Sequence, residues 1–166
     1  MTPAELLTDA LDRVEESVEA VLDGLDETAL THRPAPDANT IAWLVWHLTR
    51  VQDDHVAGVA GIEQVWIGQG FVDRFGLPFE PRAHGYGHSS EEVAQVRAPA
   101  GLLLDYHRAT HRQSLDFIAG LGEADLDEVV DSRWDPPVTL GVRLVSVVND
   151  CTQHVGQAAY VRGLLG

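Results

Sequence analysis

The chain has 166 residues and a 45% hydrophobic share, enough for one globular domain spanning 1–166 with a sizeable core. Eleven basic residues against twenty-six acidic ones leave a net charge of −15, which repels phosphate backbones and anionic membranes, so nucleic-acid and membrane partners are not expected. Every cation is an arginine, and a chain without lysine has neither Schiff-base nor P-loop lysine chemistry.

Thr2-Pro3-Ala4-Glu5 reads as a capping box with proline at the first helical position. The stripe Leu6, Leu7, Ala10, Leu11, Val14, Val18, Val21 and Leu22 then predicts a first helix that ends at Gly24. This start is acidic and amphipathic, unlike a signal peptide, and no apolar run approaches the roughly 18 residues of a membrane span. A cytoplasmic location is expected. "THRPAPDANT" is a loop by its prolines and Asx-type turn residues.

Thr40 caps a second, strongly apolar helix, "IAWLVWHLTRVQDDHVAGVAG", which stops near Gly58 to Gly61. The Gly- and Pro-rich middle, residues 62–98, predicts one short helix, a long loop, and a further short helix after Ser89 or Ser90. Pro99 opens a third long helix with Leu103, Tyr106, Thr110, Leu115 and Ile118 inside. "DEVVDSRWDPPVTLG" reads as extended loop, and a fourth helix runs from about Leu140 to Leu165. The expected fold is all-α, a four-helix bundle with a long connection between its second and third helices.

Polar residues interrupt two of the apolar faces. On a wheel of about 100° per residue, His47 lies at the edge of the second helix's core face and His55 inside it, with Asp54 two turns beyond His47. Leu144, Val147, Val148, Cys151, Val155 and Ala158 line the fourth helix, with Asp150 and His154 together on its flank. Spacing alone leaves that pair as a structural ion pair, a proton-transfer pair or part of a metal site. Facing helices of a bundle bring such residues together, and His47 with Asp150 and His154 would form a three-ligand set with positions left for water or substrate. Two imidazoles and a carboxylate suit Zn²⁺, Ni²⁺, Fe²⁺ or Mn²⁺.

"TIAWLVWHLTRVQDDHVAGVAG" followed by "HVGQAAYVRGLLG" resembles the DinB-like (YfiT-like) superfamily, closest to an actinobacterial branch similar to the N-terminal domain of mycothiol-dependent maleylpyruvate isomerase. The likeness covers nearly the whole chain. It implies a four-helix bundle, often dimeric, that binds a divalent metal through one histidine of the second helix and two residues one turn apart in the last. His47 matches the "W-H-L" histidine and His154 that of "H-x-G-Q", while Asp150 stands where many members have histidine and the isomerase branch has a carboxylate. The implied function is thiol-dependent S-transfer or isomerisation, with mycothiol as the thiol, an electrophile as its partner, and metal-water hydrolysis as a variant. A non-catalytic bundle that binds a small molecule or a second copy of itself is the alternative.

Asp54 and His55 are candidates to orient His47 or to carry protons for a substrate. Gln157 is either a donor behind His154 or a helix-packing residue. His107 and His111, flanked by Arg108 and Arg112, read as a solvated face, and His84 and His88 as plain loop residues. Cys151, the lone cysteine, permits no internal disulfide and reads as inert packing. Trp43, Trp46 and Trp66 read as core, with a pocket mouth as the other possibility.

Overall fold

In the computed structural model, which describes residues 1–165, Thr2 opens helix α1 (Pro3–Leu22) with the expected capping box. The Thr2 hydroxyl accepts from the Glu5 amide at 3.1 Å, and the Thr2 amide donates to the Glu5 carboxylate at 2.7 Å. Leu11, Val14, Val18, Val21 and Leu22 are buried, whereas Leu6 of the expected stripe stands exposed. Asp26 caps a single helical turn, α2 (Glu27–Leu30), which is too short to announce itself by periodicity.

Helix α3 (Ile41–Ala60) is the centre of the molecule. Thr40 caps it through the Trp43 amide, and Gly61, in the left-handed region at φ 67°, ends it. Residues 41–50 are all buried, as befits a helix apolar on every side. The connection that follows forms two short helices, α4 (Val65–Gly68) and α5 (Phe71–Phe75), where one was expected, because Gly70 at φ 70° breaks the run between them. A loop then leads to α6 (Ser90–Gln95), opened by a capping box between Ser89 and Glu92.

Helices α7 (Ala100–Ile118) and α8 (Leu140–Gly163) complete the bundle, each packing against both α1 and α3. Trp43, Trp46 and Trp66 all join the main core. The stretch before α8 is a small antiparallel hairpin, β1 (Val129–Asp131) with β2 (Val138–Thr139), rather than plain extended loop. Strands this short leave no alternation to read in a sequence.

His107 and His111 are buried, which corrects the solvated reading. Arg108 and Arg112 lie about 100° further round α7, so their exposure says nothing of the histidine face. His107 Nδ1 lies 3.0 Å from the Thr49 hydroxyl on α3, while His111 Nε2 sits 3.0 Å from Asp12 and 3.1 Å from Glu15 on α1. Among the described residues, no helix is long and apolar enough to cross a membrane.

Candidate metal centre

His154 and His47 face each other across the α3–α8 seam, their ring centroids 4.8 Å apart and nearly perpendicular. Asp150, one turn before His154, brings Oδ1 to 3.6 Å from His154 Nε2. One donor atom from each of His47, Asp150 and His154 falls within 4.8 Å of the others.

Each imidazole is held from behind. His47 is buried, stacks on Trp43 at 4.5 Å between centroids, and engages the His84 carbonyl through Nδ1. A carbonyl only accepts, so Nδ1 carries the proton and Nε2 keeps its lone pair for the seam. Burial, chiefly, pushes the His47 pKa down to about 4, so the ring is neutral at ordinary pH. His154 Nδ1 lies 3.0 Å from the Gln157 side-chain oxygen, which fixes Nε2 as the nitrogen facing Asp150. Gln157 therefore serves as an acceptor behind His154.

Asp150 Oδ2 is buried and has no hydrogen-bond partner among the described residues. An orphaned carboxylate oxygen costs free energy unless something cationic meets it. Beside two imidazoles fixed by their outer hydrogen bonds, this donor set fits a divalent ion, with coordination positions left open. Asp12, Glu15 and His111 form a second group with donor atoms equally close.

Asp54 and His55 lie elsewhere. Neither bonds His47; they line a cleft of about 780 Å³ together with Gln64, Arg82, Asp131 and Arg143. Arg143 donates to His55 Nδ1 at 2.8 Å and reaches Asp131 at 3.4 Å, while Gln64 donates to Asp54 at 2.7 Å. Desolvation first, and Arg143 second, lower the His55 pKa, and because Nδ1 accepts from Arg143 the ring proton sits on Nε2. The carboxyl of Asp131 is held well below its ordinary value, mainly by the Arg133 side chain. His47 and Asp54 on α3, like Asp150 and Arg143 on α8, are seven residues apart, so the two groups lie about 10 Å apart along one antiparallel seam.

The loop before α6 holds what the sequence did not disclose. His84 contributes a backbone carbonyl, which no side-chain pattern can signal. Gly85 packs so close to the site that a Cβ there would stand 2.8 Å from His47 Nδ1, and its φ is +95°. His88 accepts from the Trp43 indole at 3.2 Å and stacks on Trp46. Both loop histidines are therefore part of the wall around His47.

The profile of the mycothiol-S-transferase family matches residues 6–166. The chain belongs to that family. This mycothiol-S-transferase family member is also 32% identical to a solved structure described as the crystal structure of the conserved protein of locus from Enterococcus faecalis. That likeness covers 98% of this chain and 96% of the other, at a TM-score of 0.91, so the DinB/YfiT-like bundle is shared from end to end. No curated protein matches the chain. The family and the two donor groups agree with a metal-dependent, mycothiol-related transferase or isomerase.

Proposed function

We propose that this single-domain protein binds one divalent ion through His47, Asp150 and His154 and transfers or isomerises with a low-molecular-weight thiol of the mycothiol type. The observation that carries the reading is the convergence of those three donors, within 4.8 Å, in a chain of this family. A bound divalent ion supplies one thing, a lowered pKa for a thiol or water, and hence a nucleophile at neutral pH. Zn²⁺, Ni²⁺, Fe²⁺ and Mn²⁺ all suit two nitrogens and one oxygen.

The chain's own groups do the rest. The His84 carbonyl and Gln157 hold the two rings, and Trp43 shields one face of His47 from water. The polar cleft receives the electrophile, where Asp54 can accept a proton and neutral His55 can donate a hydrogen bond through Nε2. The cytoplasm is the proposed location. A homodimer belongs to the same proposal: α8 leaves Val142, Val145 and Tyr160 exposed, and light scattering should return twice the 18.1 kDa chain mass.

The test is mycothiol consumption with monochlorobimane and a panel of other electrophiles, before and after chelation. Metal-dependent consumption is expected. A metal-loaded protein that turns over neither mycothiol nor any other bacterial thiol would leave the non-catalytic alternative standing.

A further inference from the structure

Arg50 stands one turn beyond His47 on α3, with its side chain wholly buried. A guanidinium so desolvated persists only where its N–H groups find partners. Here Nε donates to the Ala83 carbonyl at 3.0 Å, and Nη2 reaches the Arg82 carbonyl at 3.5 Å. Nη1 donates to Gln64 Oε1 at 3.0 Å and to the Tyr106 hydroxyl at 3.2 Å. Asp53, 3.6 Å away, supplies the countercharge and is itself held by Tyr106 and the Val65 and Trp66 amides.

Two arms of this fork lead to the candidate site. Ala83 immediately precedes His84, whose carbonyl engages His47 Nδ1. Gln64, its oxygen taken by Arg50, turns its amide nitrogen to Asp54 Oδ1 at 2.7 Å. One buried side chain thus fixes both the backbone that aims His47 and the amide that aims the acid of the cleft.

We propose that Arg50 is a positioning residue for His47 and Asp54, an inference that rests on the assignment of His47 as a metal ligand. Lysine at this place would keep the charge opposite Asp53 but lose the planar fork that serves Ala83 and Gln64 together.

Cobalt(II) is the probe, because its visible spectrum reports ligand number and geometry as well as occupancy. Arg50→Lys should lower Co²⁺ affinity by about 10- to 100-fold, the usual loss when an outer partner of a ligand goes, and should shift the spectrum. Tyr106→Phe disturbs the same buried cluster without touching residues 82–84, so it should lower Tm and leave affinity and spectrum unchanged. Wild-type Co²⁺ binding in Arg50→Lys overturns the proposal, as does a Tyr106→Phe effect equal to that of Arg50→Lys. His47→Ala separates the two levels. If it leaves Co²⁺ binding intact, the ligand assignment itself has failed; if it abolishes binding while Arg50→Lys is neutral, only the role of Arg50 has. Should Arg50→Lys not fold, the double variant Arg50→Gln/Asp53→Asn, which leaves no unpaired buried charge, takes its place with the same two outcomes.

Discussion

His47 Nδ1 donates to the backbone carbonyl of His84, thirty-seven residues further on, and this bond decides which nitrogen of the ring faces α8. Tautomer and orientation of the candidate ligand are thereby set before any ion arrives, while burial, working against the pull of this bond, keeps the ring neutral. The loop can come this close only because its next residue is Gly85.

Gly85→Ala should therefore damage the centre without touching a ligand. The φ of +95° and the 2.8 Å approach of a Cβ to His47 force the loop outward. A stability loss of about 1–3 kcal/mol is expected from the strained backbone, with metal affinity down about 10- to 100-fold. Denaturant melts and competitive metal titration check the two effects separately.

His55→Ala and Asp54→Asn should act on chemistry rather than on metal binding. Both residues line the cleft and neither bonds His47. Loss of a positioned proton acceptor or hydrogen-bond donor typically costs about 10²- to 10⁴-fold in rate. Elemental analysis should find wild-type metal in both variants, and thiol consumption should fall in each.

Acid should destabilise the fold through its buried histidines. The pKa values of His47 and His107 are pushed down to about 4 and about 3, from 6.5, chiefly by desolvation. Between those values and 6.5 the unfolded chain takes up protons that the folded one refuses. Their contribution is thus complete above pH 6.5 and is lost as pH falls, at up to about 1.4 kcal/mol per pH unit for each histidine. Urea melts of metal-free protein from pH 7 to 4 should show this slope, and His107→Gln should remove one proton's share.

His111→Ala should behave as a stability variant. Its Nε2 sits between Asp12 and Glu15 at 3.0 and 3.1 Å, a hydrogen-bonded contact that ties α7 to α1. A loss of about 1–3 kcal/mol is expected, with the bound metal per chain unchanged. Loss of one equivalent of metal in this variant would make the Asp12–Glu15–His111 group a second site.

The bundle was legible because its cues are local. Thr2, Thr40 and Ser89 cap helices where their side chains said they would, and the uninterrupted apolar face of "IAWLVWHL" placed α3 at the centre. His47 could be paired with Asp150 and His154 because facing helices of a bundle bring such residues together and because the family resemblance matches His47 and His154 to its ligand positions. The outer half was not legible. The His84 carbonyl has no side-chain signature, and Arg143 and Gln64 meet His55 and Asp54 only through the tertiary packing of α8 and α4. His107 and His111 misled because charged sequence neighbours on a helix point to a different face.

Metal analysis of protein purified without an immobilised-metal column tests the central claim most directly, by comparing the native chain with His47→Ala, Asp150→Ala and His154→Ala. The account predicts close to one equivalent of a divalent transition metal in the native chain and its loss in all three folded variants. Native protein without stoichiometric metal, or variants that retain it, would contradict the account.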